Sequence, residues 1–399
     1  MKLATICSGI GSPEKALKNI GIDYELSYFC EFDKYAVKSY CAIHNEPESK
    51  NIGDLTTVDI DSLEKNLDLI VGGTPCQDFS LAGKRKGGEI DSNTRSSLMW
   101  NFVEIIRVSQ PKAILWENVM GALTIDNKAN YDKFVTVLAS MGYKISAFTM
   151  NSKYYGIPQN RARIFVLGSK THTIRKPQGY DCGIRLKDII ENEVDKKYYL
   201  SDEKIKEMKI IKLYDINNKD SKCIQIADLN IKGMHSITNR VYGIKGIAPS
   251  CNTCGGGGLE TKILVNNCIQ AGYFKYPNSN KQHQSNTFFD VNGVSPTLDT
   301  CEGGNRQVKI LSYEKGVRKL IPLEYFRLMG FSDIDFNLAQ KVNSNSQLYK
   351  QAGNSIVTTV LMAIFGDYYG IEWKAKVYGK WHKTGQEQFN DLPIMEELR

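Results

Sequence analysis

The chain has 399 residues, a net charge of +7, a pI near 8.7 and 42% hydrophobic residues. That length can bury a sizeable core and divides most readily into two domains, while the modest basic balance is compatible with a polyanionic partner without requiring one. Ten cysteines scattered over so long a chain, with no export signal at its start, read as reduced cytoplasmic thiols, and no stretch approaches the roughly 18 apolar residues that cross a bilayer.

From residue 3 to about 168, short apolar runs alternate with segments of helical periodicity. Strands are predicted at 3–7, 24–30, 67–71, 113–116, 144–150 and 164–167, and helices at 13–19, 34–44, 96–108 and 131–141. Such alternation is the mark of a parallel sheet covered on both faces, a doubly wound, Rossmann-like α/β domain. Beyond about 170 the alternation gives way to Lys- and Asn-rich sequence with a weak internal repeat, 246–258 against 293–305, and 169–312 reads as a smaller, mixed, irregular second domain. After 310, a helix at 320–329 opens with Pro322, and Asn354 and Ser355 are read as the cap of an apolar helix at 356–365. These return the chain to the first domain, so that 1–168 plus 313–399 form one body; 371–399 is a polar, Trp-containing tail with no assignment.

Cys7, Ser8, Gly9, Ile10 and Gly11 follow the first strand and open a helix, where glycines permit a tight turn and close approach of backbone to a ligand. Glu31, at the end of the second strand, is placed to accept hydrogen bonds from ribose hydroxyls. The third glycine of a dinucleotide fingerprint is absent, position 14 being Glu14, so no pyrophosphate cradle is present and S-adenosylmethionine fits better than a nicotinamide cofactor. Asp54, in Gly53-Asp54-Leu55, could accept a bond from an adenine amino group or serve only as a turn residue.

Cys76 lies in Gly-Gly-Thr-Pro-Cys-Gln-Asp-Phe-Ser (72–80), directly after a predicted buried strand. A free cysteine is ordinarily a small buried hydrophobe. Here Pro75 fixes the backbone before it, glycines imply an exposed bend, and Lys84, Arg85 and Lys86 lie downstream to lower a thiol pKa. The segment from Ser80 to Asn93 reads as a loop able to close over a polyanion, or as a plain surface loop. Glu117 ends a strand, where it can hold a proton if burial raises its pKa or can cap the next turn. Arg161 and Arg163 alternate with period two, so both can address one carboxylate or one base carbonyl.

TPCQDFS with Cys76, ENV at 117–119, QNRARI at 159–164 and QAGNSI at 351–356, in that order, resemble the DNA cytosine-5 methyltransferases of bacteria and phages. The resemblance covers about 1–168 and 318–365. It implies an S-adenosylmethionine-dependent methyltransferase domain with a target-recognition domain inserted before the C-terminal return. Cys76 would attack C6 of a flipped-out cytosine, Glu117 would bond its N3 and N4 edge, and Arg163, supported by Arg161, its carbonyl. S-adenosylmethionine would lie against Cys7 to Gly11 and beside Leu55 and Pro75. Glu31 would meet its ribose, Phe32 and Asp54 its adenine, and Asn354 with Ser355 its methionine end. Ile6-Cys7-Ser8 departs from the aromatic residue that usually opens this turn. Double-stranded DNA is the implied partner, with Gln77, Ser80, Lys84, Arg85 and Lys86 on the catalytic side and Arg240, Lys245, Lys262, Arg306 and Lys309 in the inserted region. A separately encoded restriction endonuclease fits as a second partner, and a monomer is expected.

Cys251 and Cys254 form one Cys-x-x-Cys whose repeat copy offers Leu298 and Cys301, and His235 and His283 have no ligand spacing, so no metal site is expected. Two other readings remain: a transfer-RNA cytosine-5 methyltransferase, against which the long inserted region argues, and an inactive DNA-binding protein, which would need a defect at Cys76, Glu117 or Arg163.

Overall fold

The computed structural model describes residues 1–74, 98–182, 184, 188, 189, 191, 193–198 and 320–378, and between 208 and 319 the eight strands named below with residues 295–298. The chain divides into two compact units, Met1–Ile157 with Arg161–Cys182 and Tyr325–Arg399, and Pro158–Asn160 with Gly183–Glu324. The first unit thus runs past the expected boundary at 168 to Cys182, and resumes at Tyr325, beyond the expected 313.

In the first unit β1 (Lys2–Ile6), β2 (Glu25–Cys30), β3 (Leu69–Gly72), β4 (Ala113–Val119), β5 (Lys144–Asn151) and β6 (Ala162–Ser169) form one sheet in the order β2-β1-β3-β4-β6-β5. The first four strands are parallel. Their residues are nearly all buried, as expected where helices cover both faces. The expectation of a wholly parallel sheet is corrected at β6, which runs antiparallel to both β4 and β5. The physical reason is the connection at 152–161, which holds one 3-10 turn and is too short for the crossover that parallel neighbours need.

Helices α1 (Ser12–Ile20), α2 (Lys34–His44), α3 (Leu98–Ser109) and α4 (Lys128–Ser140) connect these strands. The return segment supplies α5 (Pro322–Leu328), α6 (Asp333–Gln340), α7 (Asn345–Asn354), α8 (Thr358–Tyr369) and α9 (Lys374–Tyr378). Helices α6 and α7 escaped the sequence reading, although Ser332 and Asp335 make a reciprocal capping box at the start of α6. Asn354 and Ser355 do not cap α8: they close α7, and Val357 occupies the α8 N-cap. All residues from Thr358 to Gly366 are buried, so α8 is apolar all round and gives no one-sided pattern from which its start could be read. It packs on α1, and α2 packs on α6. Beneath the sheet, Phe102, Ile106, Trp116, Phe134, Leu138 and Val166 join one apolar cluster.

The tail is in part structured. Trp373 is buried with its indole N–H on Asp367, Lys376 donates to the Ile20 carbonyl at 2.9 Å, and Tyr378 donates to the Tyr154 carbonyl at 3.0 Å.

Among the described residues the second unit contains two mixed sheets. β7 (Met208–Ile210), β11 (Gln270–Phe274), β12 (Thr287–Asp290), β13 (Lys309–Ser312) and β14 (Gly316–Lys319) form one, and β8 (Ile224–Asp228), β9 (Arg240–Gly243) and β10 (Lys262–Leu264) the other. Ile184, Ile189, Phe289, Leu298, Ile310 and Leu320 are its buried apolar residues among those described. Of the repeat, only Ser295 to Leu298 are described: Ser295 bridges to Gln159, and the Leu298 amide donates to the Gln159 side chain at 3.2 Å. Among the described residues, no helix is long and apolar enough to cross a membrane.

Candidate active site

The turn after β1 places Cys7, Gly9 and Gly11 in the left-handed region, at φ 52°, 56° and 79°. Ser8 holds the turn down. Its amide donates to the Cys30 carbonyl at 3.0 Å, its hydroxyl lies 3.0 Å from the Thr5 carbonyl, and it accepts from the Cys30 amide at 3.2 Å. The Ser8 side chain is therefore committed to joining the ends of β1 and β2. Ile10 is fully buried, and its carbonyl meets Nε2 of His44 at 2.9 Å, so only its backbone faces the turn. A Cβ on Gly11 would stand 2.1 Å from that same His44 nitrogen, whereas a Cβ on Gly9 would meet nothing within 4 Å. Open space thus lies over Gly9, at the start of α1, where main-chain N–H groups favour electron-rich ligand atoms.

Glu31 borders this space. Its two carboxylate oxygens accept from the Gly9 and Asp33 amides, each at 2.9 Å, and burial raises its pKa against the opposing effect of those bonds. Phe32 is 75% exposed, an apolar ring with one face free for stacking. Gly53, at φ 79°, also has open space over its Cα, and Asp54 accepts from the Thr56 amide and hydroxyl at 2.9 Å each. Leu55 is buried among the core residues.

Asn51, which the sequence reading missed, bonds both main-chain groups of Glu31 and the Gly53 amide, at 2.9–3.1 Å. Gln351, which opens the motif at 351–356 but carries no role in the sequence reading, makes ties of the same kind. It donates to the Tyr35 carbonyl at 2.9 Å and accepts from Ser39 at 2.8 Å, tying α7 to α2. Asn354 is exposed at the end of α7 and Ser355 is buried, its hydroxyl on the Gln351 carbonyl at 2.8 Å. The signal for these ties was only a polar residue type; apart from the short-range bonds to Gly53 and within α7, their partners lie 20 to more than 300 residues away.

Cys76, Pro75, Gln77, Ser80, Lys84, Arg85 and Lys86 lie outside the described residues, as do Lys245, Arg306, Cys251, Cys254, His235 and His283. Arg240, Lys262 and Lys309 fall on β9, β10 and β13, where only the backbone is described.

On β4, Glu117 meets Arg163 of the adjacent β6, Oε1 to Nε at 3.1 Å, with side chains 12% and 15% exposed. Burial pushes the Glu117 carboxyl up from the usual range, opposed by the Arg163 and Arg161 charges. Its other oxygen faces Gly73, whose added Cβ would stand 3.5 Å from it. Arg161 does not share this carboxylate. It precedes β6, is 5% exposed, and donates through Nη2 to the Gly353 and Ser355 carbonyls at 3.0 Å each, so the expected pair of arginines splits into one on Glu117 and one clamping the junction of α7 and α8.

Residues 1–369 match the family described as C-5 cytosine-specific DNA methylase. The chain belongs to that family of DNA methylases. Among similar proteins, the orphan methyltransferase M.SPRI of Bacillus phage SPR is 34% identical over 432 residues, covering 92% of this chain and 96% of the relative. The type II methyltransferase M.NlaX of Neisseria lactamica is 28% identical over 91% of this chain and 94% of its own. The solved Entamoeba histolytica methyltransferase EhMeth has a TM-score of 0.62 at 15% identity, covering 93% of this chain and 98% of that one, and so shares the fold.

This DNA methylase takes its methyl group from S-adenosylmethionine. Its residues fit that donor: open space over Gly9 and Gly53, a carboxylate beside the turn and an exposed ring next to it suit a nucleoside bearing a short charged tail.

Proposed function

We propose that this methylase modifies a cytosine swung out of duplex DNA, within a short recognition sequence, through a covalent bond from Cys76 to C6. Extrusion is needed because C5 and C6 cannot be reached in this geometry inside the stack. S-adenosylmethionine supplies an electrophilic methyl group on a sulfonium. Glu31 would hold its ribose, Phe32 and Asp54 its adenine, the Gly9 backbone its near side and Asn354 its methionine end.

The observation that carries the reading is the partly buried pair of Glu117 and Arg163 at 3.1 Å, on neighbouring strands, with the second carboxylate oxygen over Gly73, three residues before Cys76. A carboxyl whose pKa is raised by burial can keep a proton and share it with cytosine N3, which makes C6 electrophilic. Arg163 neutralises charge as the Cys76 sulfur adds to C6 and the electron pair moves to C5. C5 would then take the methyl group as its bond to the sulfonium sulfur breaks, leaving S-adenosylhomocysteine; a water-relayed base removes the C5 proton, and the Cys76 sulfur leaves C6 as the ring recovers its double bond. Arg161 acts through its clamp on 353 and 355. The second unit, with its paired strands and glycine-rich segments, is read as the target-recognition region. M.SPRI is named an orphan and M.NlaX a type II methyltransferase, so the methylation is read as either independent or paired with a separately encoded endonuclease.

The test is transfer of labelled methyl from S-adenosylmethionine to unmethylated genomic DNA, followed by bisulfite sequencing. Methylated cytosines in one recurring sequence are expected, absent with Cys76→Ser and reduced at least about 100-fold with Glu117→Gln. Transfer that survives Cys76→Ser, or that reaches transfer RNA and not DNA, would overturn the reading.

A further inference from the structure

Strand β3 ends at Gly72, and two residues later Thr74 is only 4% exposed. Its hydroxyl accepts from the indole Nε1 of Trp116 at 2.9 Å. Asn118 donates to the Thr74 carbonyl at 3.3 Å and reaches the hydroxyl at 3.5 Å, the limit of a hydrogen bond. Trp116 and Asn118 are each 1% exposed, and the indole packs on Phe134 with ring centroids 4.8 Å apart. In such surroundings water cannot replace a lost acceptor, so the indole N–H needs the Thr74 oxygen. β3 and β4 are paired in register at Gly72 and Trp116, which brings the two partners opposite the point where the chain leaves the sheet.

Glu117 lies between Trp116 and Asn118 on β4. One strand therefore presents the carboxyl group and, through the residues on either side of it, holds Thr74. Cys76 follows Thr74 by two residues, so chain geometry alone keeps the two Cα atoms within about 7 Å. We propose that Thr74 is a positioning residue for the methyl transfer, its hydroxyl fixed by Trp116 so that the sulfur of Cys76 and the carboxyl of Glu117 address one cytosine. This rests on the covalent reading above. Attack on C6 demands a near-attack distance, and a displacement of 1 Å can cost about 100-fold in rate.

The test compares Thr74→Val, which keeps the shape and removes the acceptor, with Thr74→Ser, which keeps the hydroxyl, and with Trp116→Phe, which removes the donor. Steady-state methylation of the DNA sequence found by bisulfite mapping, and the rate of covalent trapping on the same DNA carrying 5-fluorocytosine, are the readouts. For Thr74→Val, kcat and the trapping rate are expected to fall about 10- to 100-fold, with KM for S-adenosylmethionine within twofold of the parent. Thr74→Ser is expected to restore most of the rate. The double variant Thr74→Val, Trp116→Phe should lose less than the product of the single losses, because the two share one bond. A Thr74→Val rate within twofold of the parent, equal losses in Val and Ser, or a loss confined to cofactor KM would sink the proposal. Should Thr74→Val fail to fold, a Trp116→Phe rate equal to the parent's would do the same. If Cys76→Ser itself retains transfer, the covalent reading fails instead; if that variant is inactive and Thr74→Val is unimpaired, only the role of Thr74 falls.

Discussion

His44 carries a proton question of its own, because burial pulls its pKa down to about 4 from 6.5. The contact with the Ile10 carbonyl at 2.9 Å requires a proton on Nε2, so the ring is the neutral Nε2–H tautomer. On acidification the unfolded chain takes up a proton near pH 6.5 and the folded chain not until about 4. The contribution of this residue is thus full above 6.5 and is lost as the pH falls toward 4, by on the order of 3 kcal/mol. Glu14 and Glu117, buried with raised pKa values, run the other way and lose stability as pH rises from the ordinary carboxyl range through those raised values. His44→Gln is expected to flatten the melting temperature between pH 6.5 and 4; a slope equal to the parent's would place the proton elsewhere. The arginines separate at the same scale. Arg161→Met leaves the Gly353 and Ser355 carbonyls without their buried donor and is expected to cost about 1–3 kcal/mol in denaturant titrations, with weaker cofactor binding because Asn354 lies between those carbonyls. Arg163→Lys is expected to lower kcat with little effect on stability, and the reverse pattern would reassign the pair.

At the scale of an element, the turn between β1 and α1 is built from glycines with different reasons. Gly11 is needed by its φ of 79° and by the imidazole that a Cβ would strike at 2.1 Å. Gly9 has a similar φ but empty space above it. Gly11→Ala is therefore expected to lower stability by about 2 kcal/mol or more, since the strain of about 1–2 kcal/mol adds to a clash with a buried ring. Gly9→Ala should carry only the strain and instead weaken S-adenosylmethionine binding, as calorimetric titration beside thermal melts would show. Equal cofactor losses in the two variants would mean that the space over Gly9 is not where the donor lies.

For the molecule as a whole, the return segment completes the sheet-bearing unit. α8 supplies a helix buried on every side, and the stretch after it, which the sequence left without assignment, packs Trp373 and Val377 into that unit. Gly156 leaves no room for a Cβ beside the Val377 carbonyl, 2.8 Å away, so the last helix lies directly on the chain that leads to β6. Trp373→Ala is expected to cost about 3–5 kcal/mol in chemical denaturation. A cost below about 1 kcal/mol would show that the segment is peripheral.

The six strands of the sheet, helix α2 to the residue, and the family were legible in the chain, because apolar runs, helical periodicity and four ordered motifs are local signals. Position alone also sufficed to put Glu31 directly after a strand, since an acid following an apolar run reports the end of a buried strand, whereas Glu117, expected just past the strand 113–116, lies inside β4, which continues to Val119 in pairing with β6. What no local signal carried was direction and partnership. The antiparallel course of β6, the separate duties of Arg161 and Arg163, and the ties made by Asn51, Thr74 and Gln351 depend on groups brought together from distant parts of the chain. The sequence by itself determined which chemistry this protein carries. The tertiary structure decided which buried polar group answers which other, because a donor taken out of water binds whatever acceptor the packing sets beside it.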